Sequence, residues 1–575
     1  MSTVTSAELD LSADGTLLHR GSPDSAWWRS AVIYQIYPRS WADASGDGVG
    51  DLPGITAHLP YLRNLGVDAV WLSPFYTSPQ ADAGYDVADY RDIDPLFGAL
   101  DDAKTLVSQA HSLGIRVIVD LVPNHSSDEH EWFKAALAAA PGSPERDLYM
   151  FREGKGDDGS QPPNNWQSVF GGPAWTRVTE ADGTPGQWYL HLFDPKQPDF
   201  NWENPAVRAE FESVLRFWLD LGVDGFRVDV AHGLIKEAGL PDWTGAMNML
   251  DLTDLDKQHP PMWDQDGVHE IYRGWRKILD SYNTTGDAAN DRAMCAEAWV
   301  DPPERAALFV RDDEFHQAFN FDFLQTPWRA TDLREVIASS YAANDKVGAP
   351  TTWVLSNHDV VRHASRLGLP IGTPRPNGIG ADDAQPDAVA GLRRARAATT
   401  LMLALPGGAY LYQGEELGLP DHTTMPDAVR QDPTFARTHG KELGRDGCRV
   451  PLPWSKDEPA FGFNRTGNAW LPQPTVYGDL AVDQQEGVAG STLELYRELL
   501  RIRKERDLGE GALSVLDEGA DVLAARVETR AGTTQVLVNF GAEPVEIPSG
   551  ATVLVASEPD VDTTLPTDTA VWFTV

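Results

Sequence analysis

One short pattern recurs three times in the chain, and each copy is followed by an apolar run. The pattern is Leu-Gly followed by Val or Ile, and it occurs at 65–67, 113–115 and 221–223. Upstream of Gly222 the apolar side chains follow helical spacing, and Asn204 and Pro205 suit the N-cap and the first helical position. A glycine after such a stripe suits the left-handed residue that ends a helix. Each copy therefore predicts a helix that ends at the glycine and a strand that begins directly after it.

Eight segments have the composition of strands. The strands after the three glycines are almost continuously apolar, which is typical of strands covered by helices on both faces. The eight predicted strands are 31–37, 67–72, 115–122, 223–230, 294–300, 315–323, 352–355 and 409–413. Alternating helices and strands predict an α/β fold with a parallel sheet, and eight units favour a closed (β/α)8 TIM barrel. An open doubly wound sheet is the alternative on strand count alone.

The helix and strand pattern lapses in ways that divide the chain into domains. Residues 123–197 are rich in Gly, Pro, Asn and Trp and too long for a simple loop, so they predict an inserted subdomain B after the third strand. A second irregular insert spans about 364–470. Short β-type runs in 509–575 predict a C-terminal antiparallel β-sandwich domain. The barrel itself is thereby assigned to 1–122 and 198–508.

The charge balance disfavours two classes of partner. With 47 Lys and Arg against 86 Asp and Glu, the net charge is −39, which repels phosphate backbones and anionic headgroups. We therefore expect neither nucleic acid nor a membrane as a partner.

The two cysteines, Cys295 and Cys448, are too few for a disulfide framework. Because the N-terminus also lacks the pattern of a signal peptide, a cytoplasmic protein is expected.

Charged and polar residues stand where four of the predicted strands end. They are Asp120 and His125, Arg227 with Asp229 and His232, Glu297, and His358 with Asp359. In a barrel these strand ends share one face, which is where barrel enzymes place their chemistry. Arg227 and Asp229 are two apart on a strand, so both point to one side and the arginine is expected to keep Asp229 ionised. Glu297 follows small apolar residues and suits a general acid, so the pair predicts glycosidic bond cleavage with retention.

Two other interpretations of these residues remain open. Single acids at strand ends often cap helices or form structural ion pairs. A metal-dependent hydrolase is the second alternative, with ligands among Asp120, His125, Asp229, His232, His358 and Asp359. Tight ligand spacing of the His-Glu-x-x-His kind is missing from the sequence, which disfavours a catalytic metal.

A separate loop after the first predicted strand has the spacing of a calcium site. Oxygen ligands at positions one, three, five, seven and nine would come from Asp43, Ser45, Asp47, the Val49 carbonyl and Asp51. Gly48 stands at position six, whereas position twelve is Gly54 instead of the usual glutamate. A structural Ca²⁺ is expected here, and a loop of Asx-turns that binds nothing is the alternative.

Several stretches together resemble the alpha-amylase superfamily, glycoside hydrolase family 13, and within it the alpha-glucosidase and oligo-1,6-glucosidase branch. The resemblance covers nearly the whole chain. It is carried by residues 31–38, 43–51, 120–125, 197–201, 225–232, 297 and 358–359.

The resemblance implies a role for each candidate site residue. It implies that Asp229 is the nucleophile, that Glu297 is the acid/base and that Asp359 is the third carboxylate, which holds sugar hydroxyls. By the same resemblance the substrate-binding residues would be Tyr85, Asp86, His125, Arg227, His358 and Arg449. Among these, Asp86 and Arg449 would grip the non-reducing end of the sugar and make the enzyme exo-acting.

The function expected from the residues and the resemblance is that of a retaining exo-alpha-glucosidase acting on a small-molecule alpha-glucoside. A transglucosylase or isomerase of the trehalose synthase or isomaltulose synthase kind is the alternative, since it uses the same covalent intermediate. Acceptor choice would depend on residues 230–270 and 364–450. A non-catalytic relative is disfavoured because Asp229, Glu297 and Asp359 are all present. Linkage preference is not transferred, because Ala231-His232 and Val450 depart from the family pattern.

Overall fold

Eight parallel strands form the centre of the computed structural model, which describes residues 15–21, 26–245, 260–516 and 519–575. Each strand overlaps a segment that the sequence predicts as a strand. In chain order the barrel strands are Val32–Ile36, Ala69–Leu72, Arg116–Leu121, Gly225–Val228, Ala293–Ala296, Gln317–Ala318, Thr352–Val354 and Gly408–Tyr412. We refer to them as the first to the eighth barrel strand.

The sheet closes on itself. Its strand order is sixth, fifth, fourth, third, second, first, eighth, seventh. A parallel bridge between Phe319 and Thr352 joins the two outermost strands, and the N–H of Asn320 donates to the Thr352 carbonyl at 3.0 Å. The (β/α)8 barrel is therefore confirmed and the doubly wound alternative is wrong.

Helices surround the barrel and end where the glycine pattern predicts. Helix Pro205–Leu221 begins with the Asn204 side chain accepting from the Ala206 N–H, and Gly222 follows it with φ 113°. Helix Leu100–Ser112 is likewise followed by Gly114 with φ 74°. The other α-helices are Leu52–Ala57, Leu59–Leu65, Glu131–Ala138, Val268–Ser281, Pro303–Ala306, Phe321–Gln325, Ala330–Val347, His363–Arg366, Ala388–Ala404, Pro433–Arg437, Val476–Asp479, Val482–Gln485 and Thr492–Glu505.

The segment between the third barrel strand and helix Pro205–Leu221 folds into a small unit of its own. It contains helix Glu131–Ala138 and a three-stranded antiparallel sheet. The strands of this sheet are Phe151–Arg152, Trp175–Thr179 and Pro185–Leu190. Antiparallel bridges from His125 to Asp199 and from Tyr149 to Phe200 join the first and the last parts of the unit, next to the carboxyl end of the third barrel strand.

The C-terminal region forms an antiparallel sheet that also takes in the start of the chain. The sheet order is Thr16–His19, Ala512–Leu516, Val522–Thr529, Gly532–Asn539, Thr569–Thr574 and Thr552–Ala556. A separate pair of strands is formed by Val545–Glu546 and Thr564–Leu565. The pairing of Thr16–His19 with Ala512–Leu516 was not anticipated, because the two segments lie about 500 residues apart.

Across the described ranges, no helix combines the length and the apolar character that crossing a membrane requires.

Candidate active site

The strand register brings the candidate acids to one level of the barrel. Arg227 on the fourth strand pairs in register with Asp120 on the third and with Cys295 on the fifth. Asp229 directly follows the last residue of the fourth strand, and its N–H donates to the Leu121 carbonyl at 2.8 Å. Since neighbouring strands are in parallel register, residues just past their ends converge on the same face.

The turn after Asp229 is held by Glu297. Val230 has φ 46°, in the left-handed region that a β-branched residue rarely adopts. Its N–H donates to Glu297 Oε2 at 3.1 Å, and the Ala231 N–H donates to the Glu297 carbonyl at 2.9 Å. The strained turn thus ties the end of the fourth strand to the end of the fifth.

Arg227 is a buried guanidinium shared by three carboxylates. Its Nη1 donates to Asp120 Oδ1 at 2.8 Å and to Asp229 Oδ1 at 2.7 Å, while Nη2 donates to Glu297 Oε2 at 2.7 Å. Asp120 also accepts from the indole N–H of Trp71 at 3.2 Å. Arg227 therefore sets the position of both members of the predicted acid pair.

The protonation of this cluster differs from the simple expectation. Burial raises the pKa of Asp229 well above its ordinary value, and the lowering effect of Arg227 does not offset burial together with the neighbouring carboxylates. Burial likewise raises the pKa of Asp120 to about 7 against the effect of Arg227. Because three carboxylates share one guanidinium, the cluster favours binding a proton. A proton on Glu297 would remove one negative charge and thereby favour ionised Asp229.

Asp359 is the carboxylate that stays ionised. Burial raises its pKa and the guanidinium groups of Arg445 and Arg449 lower it, and the net pKa lies well below the ordinary value. Its Oδ1 accepts from Arg449 Nη2 at 2.9 Å and from Arg445 Nη1 at 3.1 Å. The two guanidinium groups thus favour the ionised form of Asp359 in the wall of the pocket.

A hydrogen-bonded chain connects His358 to Asp120 through Tyr85. The Gln35 amide nitrogen donates to His358 Nδ1 at 2.7 Å, so Nε2 carries the proton and donates to the Tyr85 hydroxyl at 2.6 Å. The hydroxyl in turn donates to Asp120 Oδ2 at 3.0 Å. The Tyr85 ring stacks on His358 with centroids 5.2 Å apart. Burial lowers the pKa of His358 far below its usual range, so this ring is neutral.

A pocket opens above these groups at the carboxyl ends of the strands. Its polar lining consists of Asp82, Tyr85, His125, Asp229, Glu297, His358, Asp359 and Arg445, with Asn377 and Thr434 from the second insert. Val169, Phe170, Phe193 and Val230 supply its apolar lining. The structure therefore brings together six of the nine predicted catalytic and substrate-binding residues as lining, with Arg227 buried in contact with them.

The two remaining residues, Asp86 and Arg449, lie behind the pocket wall, where Asp82 and Arg445 stand instead. Asp86 accepts from the N–H groups of Ala81 and Asp82 at 2.7 Å and 2.9 Å. Arg445 Nη2 contacts Asp82 Oδ1 at 2.7 Å, and this ion pair faces the pocket. The charged pair that lines the pocket therefore lies four residues earlier, in each case, than the pair Asp86 and Arg449 that the resemblance implies.

The sequence carries a weak signal for this shift. Residues 82–86 read Asp-Ala-Gly-Tyr-Asp, with an acid at each end, and two arginines lie in 445–449. Each acid could serve, and nothing local decides between them. The structure also adds Phe170 and Phe193, which lie on irregular segments of the insertion and carry no periodic pattern.

A bridge crosses the rim of the pocket. Arg437, at the end of helix Pro433–Arg437, donates through Nε and Nη2 to the Gly171 carbonyl at 2.9 Å and 2.6 Å. Phe170, the neighbour of Gly171, lies under the Arg445 guanidinium, 5.0 Å from its carbon. The rim of the insertion is thus tied to the second insert.

A buried lysine connects the motif segments below the pocket. Lys236 Nζ contacts Asp199 Oδ2 at 2.8 Å and Asn124 Oδ1 at 2.9 Å. The Asn124 amide donates to His125 Nδ1 at 3.1 Å. Lys236 was not anticipated, because a lysine in a predicted loop is usually solvated. Of the residues assigned to acceptor choice, 246–259 lie outside the described residues.

The predicted calcium loop lies apart from the pocket and is internally hydrogen-bonded. The Asp43 carboxylate accepts from the N–H groups of Gly46 and Gly48 at 2.6 Å and 2.8 Å and from the Asn464 amide at 2.7 Å. Asp51 accepts from the Gly54 N–H at 2.7 Å and so caps helix Leu52–Ala57. Ser45 and Asp47 are exposed, and Val49 is partly buried.

No metal-binding cluster is found in the part of the chain that the structure describes. Within it, no three His, Cys, Asp or Glu side chains gather around a point that could hold an ion. Neither the calcium loop nor the histidines and acids of the metal-hydrolase alternative form such a group. The His232 ring lies beside Trp263, with centroids 5.1 Å apart. Calcium binding therefore rests on the sequence spacing alone.

Comparisons with known proteins extend over nearly the whole chain. The family described as "Alpha amylase, catalytic domain" matches residues 35–511, and "Domain of unknown function (DUF3459)" matches 509–572. A probable alpha-glucosidase of Rhizobium meliloti (strain 1021) is 37% identical over 523 residues, 87% of each chain. An oligo-1,6-glucosidase of Parageobacillus thermoglucosidasius is 35% identical over 84% of this chain and 85% of its own. The solved structure of the alpha-glucosyl transfer enzyme XgtA superposes with TM-score 0.83 at 34% identity, over 96% of this chain and 99% of that one.

Proposed function

The chain belongs to the alpha-amylase family, and from that premise we propose that it is a retaining, exo-acting alpha-glucosidase. Its substrates would be short oligosaccharides or disaccharides with a terminal alpha-linked glucose. The relatives named alpha-glucosidase and oligo-1,6-glucosidase support this proposal. The proposal includes alpha-1,4 and alpha-1,6 linkages, and the name oligo-1,6-glucosidase supports the second.

The observation that carries the proposal is the ion pair of Asp82 and Arg445 in the wall of the pocket that holds Asp229 and Glu297. An ion pair presents both acceptors and donors, which suits the free hydroxyls that only a terminal sugar has. Asp359 lies beside it, because Arg445 contacts both carboxylates. A sugar whose end groups meet these charges has no path for a continuing chain, so cleavage would occur at the chain end.

The proposed reaction has two steps, in which Asp229 is the nucleophile and Glu297 is first the acid and then the base. Asp229 attacks the anomeric carbon while Glu297 gives its proton to the glycosidic oxygen, so the C–O bond breaks and a glucosyl ester of Asp229 forms. Water then attacks the ester and gives its proton to Glu297. Because two inversions occur at one carbon, the product keeps the alpha configuration. Arg227 balances the negative charge that alternates between the two carboxylates.

The test follows the products of maltose, isomaltose and sucrose by NMR at low and high sugar concentration. The expected result is glucose released first as the alpha anomer. Asp229→Asn should remove turnover, whereas Asp427→Asn, on an exposed carboxylate, should leave it unchanged. Release of the beta anomer first, or normal activity in Asp229→Asn, would refute the proposal.

Glucosyl transfer is the second candidate function. The favouring observation is the similarity to XgtA, an alpha-glucosyl transfer enzyme. Phe170 and Phe193 could also exclude water from the ester near the pocket mouth. Conversion of the sugars to isomers or longer products with little free glucose would favour this candidate.

Two further proposals concern the setting of the enzyme. We propose a cytoplasmic location on the basis that Cys295 and Cys448 are both free and buried, which suits a reducing compartment. Fractionation of cells that produce the protein would test it. We also propose a structural Ca²⁺ at loop 43–51 on its ligand spacing, and the corresponding measurement is given below.

A further inference from the structure

Trp299 is held rigidly beside the proposed acid/base residue. It lies two residues after Glu297 and is only 4% exposed. Its ring stacks on Phe321 with centroids 3.8 Å apart and an angle of 3° between the planes. The guanidinium carbon of Arg375 lies 5.1 Å from the Trp299 centroid. The burial of the ring, its stack on Phe321 and the nearby Arg375 guanidinium together restrict rotation of the indole.

The indole N–H points at one particular oxygen of Glu297. Trp299 Nε1 donates to Oε1 at 3.2 Å. The other oxygen, Oε2, accepts from Arg227 Nη2 at 2.7 Å and from the Val230 N–H at 3.1 Å. Each carboxyl oxygen therefore has its own donors, and together these fix the rotation of the carboxyl group.

This division of donors decides which oxygen can carry the acidic proton. A proton on Oε2 would face two N–H groups that can only donate, so the proton must sit on Oε1. Oε1 then uses one lone pair for the indole N–H and directs its O–H into the pocket. After the proton has passed to the glycosidic oxygen, the indole N–H still supports the carboxylate that takes a proton from water.

We propose that Trp299 is a positioning residue for Glu297, holding Oε1 where it delivers the proton to the leaving group. The inference rests on the proposed glycosidase function and deepens it. Trp299 acts through Glu297 and not on the sugar. Its loss should therefore impair proton delivery more than sugar binding.

The decisive experiment compares substrates that differ in their need for a proton. Trp299→Phe keeps an aromatic ring against Phe321 and removes only the N–H. With 4-methoxyphenyl alpha-glucoside, whose leaving group needs protonation, kcat/KM should fall about 10-fold, a part of the 10²- to 10⁴-fold that general acids contribute. With 2,4-dinitrophenyl alpha-glucoside, which leaves without a proton, the loss should stay below about 2-fold.

Trp188→Phe is the matched control, since its indole N–H donates to the Gly159 carbonyl at 3.0 Å in the inserted subdomain. Both substrates should be unaffected by it. If Trp299→Phe does not fold, Phe321→Leu removes the stacking surface and should show the same selective loss. Equal losses on the two substrates, or none, would overturn the positioning role. A wild-type protein that cleaves neither substrate would instead refute the proposed function.

Discussion

Exchanging Asp82 and Asp86 for asparagine, one at a time, tests which acid grips the sugar. Asp82 faces the pocket and pairs with Arg445 at 2.7 Å, so Asp82→Asn removes a charged partner for sugar hydroxyls. A hydrogen bond to a charged group contributes about 1.5–3 kcal/mol, which corresponds to roughly 10- to 100-fold in kcat/KM. The folded structure should tolerate this change, because asparagine keeps the size of the side chain.

Asp86→Asn should behave differently. The Asp86 carboxylate accepts two backbone N–H groups, and asparagine can accept only one of them with its single oxygen. An unsatisfied buried N–H costs about 1–3 kcal/mol. Because burial raises the pKa of Asp86 to about 6, removing its charge offsets part of that cost at neutral pH. We expect about 1 kcal/mol lower stability and a change in kcat/KM of less than about 3-fold.

The assay is kcat/KM for 4-nitrophenyl alpha-glucoside, together with the urea midpoint of each variant. A large loss of activity in Asp86→Asn at unchanged stability, with a nearly normal Asp82→Asn, would refute the placement of the grip at Asp82. It would restore the assignment to Asp86 that the family resemblance implies.

Three further predictions concern stability and the rim. Burial raises the pKa of Asp322 to about 6, so the free energy of unfolding falls as the pH rises from about 4 to 6. In urea unfolding, Asp322→Asn should therefore add at most about 3 kcal/mol of stability at pH 7.5 and less at pH 5. Equal gains at both pH values would contradict this. Excess calcium should raise the Tm relative to EGTA if loop 43–51 binds the ion, and an unmoved Tm would argue against it. Arg437→Met removes two contacts with the Gly171 carbonyl and should raise KM with little change in kcat; a fall in kcat alone would contradict the bridge.

The barrel, and the meeting of the candidate acids on one of its faces, could be predicted from the amino-acid sequence. The strands follow from apolar runs, and helix Pro205–Leu221 from a stripe between Asn204 and Gly222. These signals are local, since a cap or a periodic stripe is complete within a few turns of chain. The acids could be placed on one face because parallel strands in a barrel must end together.

Which of two nearby acids lines the pocket could be read only from the folded chain. Asp82 and Asp86 lie at the two ends of one short turn. The packing of that turn brings the Asp82 carboxylate, and not that of Asp86, into contact with Arg445. The raised pKa of Asp229 could not be predicted from the sequence either, because burial and the neighbouring carboxylates act on it only when the strands meet. The Trp299 indole donates to Glu297 while its ring stacks on Phe321, which lies on another segment of the chain. These features depend on contacts between residues that lie far apart in the sequence. The spacing of residues along the chain does not indicate such contacts.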